Sequence, residues 1–153
     1  MKEPLLEPFL RKLRVNQVLP TIRLNPGGML LDVGCGKDCR LLKTVEPFVE
    51  KAIGIDFKVE NSDYGRIKTI RMTMMDSVPF APASFDIVTM LAVLEHLPDP
   101  LVSLREMERI LKPGGILVLT VPSKIAKPVL LFLCHCLKLV SELEMRDHKQ
   151  YFD

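Results

Sequence analysis

Five short apolar runs punctuate the chain: MLLDVG over 29–34, KAIGID over 51–56, RIKTIRM over 66–72, FDIVTML over 85–91 and GILVLTV over 115–121. Each is rich in branched residues and bounded by Gly, Pro or Asp, so each predicts a strand. Most lack a polar alternate position, which is the pattern of strands covered on both faces. Between them the apolar period changes. Residues 38–49 and 100–111 show helical spacing, the second through Leu101, Leu104, Met107 and Leu111. Ahead of the first strand, residues 5–18 set Leu5, Phe9, Leu13 and Val15 among charges and predict an amphipathic helix leading into the domain. Strand alternating with helix predicts a doubly wound, mainly parallel α/β sheet built with right-handed crossovers. The first and fourth strands then lie side by side, and ligand binds in the crevice over their carboxyl ends, where the winding reverses.

Composition narrows the picture. With 153 residues, 48% of them hydrophobic, the chain can bury one good core and is read as a single domain. Lys plus Arg number 21 against 19 Asp plus Glu, so no strong field draws in nucleic acid or an anionic membrane, and a small-molecule partner is expected. The acidic, proline-containing start MKEPLLEPFLRKL does not resemble a signal peptide, which predicts a cytoplasmic protein. The longest apolar stretch, residues 129–140, is broken by His135 and Lys138 and falls short of the ~20 residues that cross a bilayer. Cys35 and Cys39 lie far along the chain from Cys134 and Cys136, so free thiols are expected, with no disulfide framework and no metal site.

The chemistry concentrates at the ends of the first two strands. In Leu31-Asp32-Val33-Gly34-Cys35-Gly36 an apolar strand runs into a glycine pair, where backbone must turn sharply and a ligand can come close. A tight turn with no ligand is the alternative reading of that pair. Asp56, closing the next strand, stands where a carboxylate can accept both hydroxyl hydrogens of a ribose, or serve as a helix cap.

These residues, taken with the ones downstream, resemble the class I S-adenosylmethionine-dependent methyltransferases, in particular the type 11 group that acts on small molecules. LLDVGCG is similar to that family's first motif and GIDF (54–57) to its ribose-binding acid with the apolar residue behind it. VPFAPASFDIV (78–88), LAVLEHLPDP (91–100) and LREMERILKPGGILVLTVPS (104–123) resemble the approach to the fourth strand and the loop, helix and fifth strand beyond it. The likeness covers roughly residues 25–123 and implies a Rossmann-like core with the five strands in the order 3-2-1-4-5. It implies that S-adenosylmethionine is the cofactor and S-adenosylhomocysteine the product, with methyl transfer to a small-molecule or lipid-like acceptor. It also implies a site in which Asp32, Gly34, Cys35 and Gly36 hold the methionine end, Asp56 the ribose and Phe57 one face of the adenine. Leu91 and Ala92 would line the methionine side under the donor methyl.

The chain departs from the family pattern in two places. Asp38 replaces a third glycine and is expected to cap the next helix. Met74 stands where the adenine-contacting acid usually falls, so Met75 and Asp76 are the candidates there. His96, after the fourth strand, is a candidate general base, with an organising role in the loop as the alternative. Residues 124–153 are read as a helical substrate or lid segment. The closing strands of the family sheet are expected to be missing, leaving the sheet edge or the 129–140 helix to mediate a homodimer. Two other functions stay open: a non-catalytic methyltransferase-like binding or partner subunit, and an NAD(P)-dependent oxidoreductase.

Overall fold

The computed structural model describes residues 7–73 and 77–121, with side chains from residue 11 onward. Helix α1 (Glu7–Arg23) leads into strand β1 (Met29–Val33), helix α2 (Arg40–Val45) and strand β2 (Lys51–Asp56). Then come β3 (Ser62–Tyr64), β4 (Ile67–Arg71), β5 (Phe85–Leu91), helix α3 (Pro100–Ile110) and β6 (Leu111–Thr120). The sheet order is β3-β4-β2-β1-β5-β6, parallel except for β3 against β4. The five strands expected from sequence take the order expected of them. β3 was not foreseen, because three residues reading Ser-Asp-Tyr carry no apolar signal. It forms as the first arm of a tight hairpin that turns through Gly65 and Arg66 into β4, pinned by Ser62 Oγ to Thr69 Oγ1 at 2.7 Å.

Adjacent residues of the central strands bury into two different cores, as the pleat requires. Leu31, Ile53 and Val88 face one side, under Leu104, Met107 and Ile110 of α3. Leu30, Ala52 and Ile87 face the other, under Val15, Val18 and Ile22 of α1 and Leu41, Leu42 and Val45 of α2. This double coverage is why these strands show no polar alternation.

Three local expectations need correction. The first helix runs on to Arg23, and its buried stripe is Val15, Val18 and Ile22, while Leu13 is exposed because it lies about 200° around the helix from Val15. Asp38 does not cap α2. That helix begins two residues later, after Cys39 in a left-handed conformation (φ 49°) with no side-chain cap bond, and Asp38 sits exposed in the preceding turn. The last strand begins at Leu111, directly after α3, and bulges through the Pro113-Gly114-Gly115 stretch before resuming register at Ile116. The 129–140 segment, Cys134 and Cys136, and the proposed lid lie outside the described residues.

At the amino-terminal end of the sheet, Asp86 ties three strands together. Its Oδ2 accepts the Met29 N–H at 2.7 Å and pairs with Lys112 Nζ at 2.8 Å, and the two bonds hold its carboxyl below the ordinary range. Glu106, on α3, does a similar task, accepting the Val78 N–H at 2.8 Å and pairing with Arg109 at 2.6 Å. Arg109 in turn donates to the Phe80 carbonyl at 2.9 Å. The segment entering β5 is thereby fastened to the helix that follows it.

Candidate cofactor-binding site

The carboxyl ends of β1, β2 and β5 open into a cleft of about 920 Å³. Its floor is built by the turn after β1. Gly34 has φ +76° and Gly36 φ +68°, values that L side chains rarely adopt, and a side chain at 34 would collide with Val93. The N–H groups of Gly34 and Cys35 donate to the Ile55 carbonyl at 2.8 and 3.3 Å, pulling the turn over the end of β2. The Gly36 N–H then donates to Asp56 Oδ2 at 2.9 Å, and the Lys58 N–H to Asp56 Oδ1 at 2.8 Å. Asp56 is thus held by one bond on each oxygen, and a carboxylate with about four lone-pair sites keeps acceptor capacity beyond those two. At Gly36 an added Cβ would meet nothing nearer than Arg11 Nη1 at 4.0 Å, so the backbone faces open space.

Asp32 lies one step below the turn, on the same face as its register neighbour Thr89, whose hydroxyl donates to it at 2.7 Å. Burial pushes its carboxyl up to about 7; the Thr89 bond opposes this and the charge of Asp56 adds to it. Burial also raises the Cys35 thiol, with Asp32 next in effect, and raises the Cys39 thiol, so neither is a ready nucleophile. Phe57 stands 57% exposed on the rim, with Lys58 Nζ 5.1 Å from its ring centre. On the opposite wall Leu91 ends β5. Ala92 follows in a left-handed conformation (φ 56°), its N–H donating to the Thr120 carbonyl at 3.1 Å and hydroxyl at 3.0 Å. His96 closes a short 3-10 turn over 94–96 and is exposed where it lines the cleft.

Asp32, Gly34, Cys35, Gly36, Asp56, Phe57, Leu91, Ala92 and His96, chosen from sequence, therefore line one cleft. Met75 and Asp76 lie outside the described residues. Arg11, Arg14 and Arg40 also line the cleft and were missed. A signal for the first existed: Arg11 continues the spacing of Val15, Val18 and Ile22, a charge on an otherwise apolar stripe. Among the described residues no helix is long and apolar enough to cross a membrane.

A family model described as a methyltransferase domain matches residues 31–119. The demethylmenaquinone methyltransferase of Staphylococcus aureus is 37% identical over 123 residues, covering 74% of this chain and 51% of that protein. The chain thus spans about half the length of the curated relatives it matches. Among solved structures, the YcgJ protein of Bacillus subtilis shares the fold with a TM-score of 0.60 at 23% identity, over 71% of this chain and 50% of that one. The [4+2]-cyclase SpnF is similar with a TM-score of 0.59 at 26% identity, over 69% of this chain and 43% of its own.

Proposed function

Since the chain belongs to the methyltransferase domain family, we propose that its cleft holds S-adenosylmethionine and that it serves methyl transfer to a small, lipid-like acceptor. The observation that carries this reading is the Asp56 carboxylate, fixed to the Gly36 N–H at 2.9 Å and to the Lys58 N–H at 2.8 Å beside open space. The residues present fit the cofactor. A cleft of about 920 Å³ lies within the roughly 300–1,000 Å³ of small-ligand sites. Asp56 has acceptor capacity for two ribose hydroxyls, and the exposed ring of Phe57 offers a surface for adenine.

When bound, the cofactor supplies a methyl group on a positively charged sulfur, which reacts once a nucleophile is aligned behind it. The chain's own work is then placement. Asp56 orients the ribose, and the Gly34–Gly36 turn admits the methionine end without side-chain hindrance. Leu91 and Ala92 line the methionine side under the donor methyl. His96 is the candidate to take a proton from an acceptor hydroxyl, and its exposure at the cleft rim is what supports it. The roles of Met75 and Asp76 at the adenine rest on the sequence alone. An apolar acceptor is favoured by Met72, Val93, Leu97 and Pro98 along the cleft and by the quinone named for the Staphylococcus aureus relative.

Calorimetric titration tests the reading. S-adenosylhomocysteine should bind while NAD and NADP do not; binding of a nicotinamide cofactor alone would overturn it. Likeness to a [4+2]-cyclase supports a second reading, a cofactor-binding fold without methyl transfer. Cofactor binding with no labelled methyl passed to any quinol or phenol acceptor would favour that alternative.

A further inference from the structure

We propose that the mouth of the cleft is a docking surface for an anionic lipid bilayer, from which an acceptor dissolved in that bilayer reaches the site; this rests on the cofactor and acceptor reading above. The two walls of the mouth differ in kind. One is basic. Arg40 lines it where α2 begins, Lys58 lines it just past the end of β2, and Lys37 lies exposed in the turn between Gly36 and α2. Among the described residues none of these three cations meets a carboxylate, and Lys58 lies over the Phe57 ring instead. Elsewhere the pattern is the reverse: Lys51, Lys68, Arg71, Arg109 and Lys112 are each paired with an acid. The near balance of 21 basic and 19 acidic side chains thus conceals a segregation, with unpaired positive charge gathered where the central strands end. Of the acids there, Asp56 is engaged by two backbone N–H groups and Asp38 stands 3.9 Å from Arg11.

The other wall is apolar. Leu97 and Pro98 line the cleft, and the chain turns directly into α3, whose first turn leaves Leu101 47% and Val102 37% exposed. Topology sets them at the same end, because α3 runs back along the sheet from the carboxyl end of β5. The acid between them, Asp99, is turned onto the helix, its Oδ1 accepting the Leu101 and Val102 N–H groups at 3.0 and 3.1 Å. Single exposed apolar residues need no explanation, but Leu97, Pro98, Leu101 and Val102 together make a patch continuous with a pocket wall.

Unpaired basic charge beside an apolar edge suits a lipid surface. Anionic headgroups attract Lys and Arg, while the boundary with the acyl chains accepts the apolar corner. A soluble polyanion would use the basic wall alone and leave that corner in water. An apolar acceptor held in the bilayer would pass along Leu97 and Pro98 into the cleft without exposing its length to water.

The test is co-sedimentation of the full chain with lipid vesicles, which needs no cofactor. Vesicles of phosphatidylcholine with about 30 mol% phosphatidylglycerol should carry the chain down at about 50 mM salt, and about 500 mM salt should weaken that binding at least about tenfold. Vesicles of phosphatidylcholine alone should bind at least about tenfold more weakly. Lys37→Glu should weaken binding about 5- to 30-fold, and Leu101→Ser with Val102→Ser about tenfold, each leaving S-adenosylhomocysteine affinity within about twofold of wild type. If the double substitution unfolds the chain, Lys37→Glu, in an exposed turn, decides alone. Chain left in the supernatant with anionic vesicles, equal binding to neutral ones, or variants that bind like wild type would overturn the docking surface and leave the cofactor reading standing. With both variants folded, a loss confined to Lys37→Glu would point to a soluble polyanion and overturn it as well. Wild-type chain that binds no S-adenosylhomocysteine would overturn the cofactor reading and the proposal built on it.

Discussion

Replacing Asp32 by Asn should make the fold more stable at neutral pH, by an amount that depends on pH in a defined way. The carboxyl is buried at the end of β1 beside Thr89, and its pKa rises from 3.8 to about 7. Between those values the folded state keeps a proton that the unfolded chain has already released. Stability therefore falls as pH rises from about 4 to about 7, then levels off. At about 1.4 kcal/mol per pKa unit the whole loss is of order 4 kcal/mol, and the part between pH 5 and pH 8 is of order 3 kcal/mol. Asparagine does not titrate, and its side-chain oxygen can still accept the Thr89 hydroxyl now bonded to Asp32 at 2.7 Å. Urea unfolding of both proteins at half-unit intervals reads the difference directly. The gap in favour of Asp32→Asn should widen by about 2–3 kcal/mol from pH 5 to pH 8, and other titrating groups cancel in the comparison. Curves that stay parallel across that range would refute the reasoning, since they would mean that the cleft is wet enough to solvate the charge.

Asp56→Ala should weaken S-adenosylhomocysteine at least about tenfold in titration, because it removes the acceptor proposed for the ribose and also frees the Gly36 and Lys58 N–H groups. Gly36→Val should abolish that binding with little change in circular dichroism; the φ of +68° adds a strain cost of about 1–2 kcal/mol, visible as a small drop in melting temperature. Glu106→Gln should cost about 2 kcal/mol in urea unfolding near pH 7, since Val78 and Arg109 lose a charged acceptor. The two Arg109 bonds hold the Glu106 carboxyl below its usual 4.5, so its contribution is present above that pH and is lost as pH falls through the lower folded value. The mutant's deficit should accordingly shrink in acid.

The sheet and the heart of the site were legible because both rest on local pattern. Unbroken apolar runs require strands covered on both sides, right-handed crossovers set the first and fourth side by side, the family likeness orders the rest, and a glycine pair at the end of one strand and an acid at the end of its neighbour then meet over the same edge. Gly36 and Asp56 are twenty residues apart in the chain and 2.9 Å apart in space, a closeness that the expected strand order already implied. The likeness to a family added names to those positions.

What the pattern along the chain left open was whatever depends on where a whole element comes to rest. Period told which residues of α1 share a face, but only packing decided that Val15, Val18 and Ile22 take the sheet, leaving Leu13 to water and Arg11 to the cleft. Asp38 read as a cap by its spacing; the left-handed Cys39 moved the helix start away from it. The three-residue β3, the Asp86 tie to Lys112 and Met29, and the left-handed Ala92 held by Thr120 all join groups distant in sequence. Their reward is a long-range contact that no local period encodes, so the amino-acid order determined the frame and the tertiary structure decided which charges face the ligand.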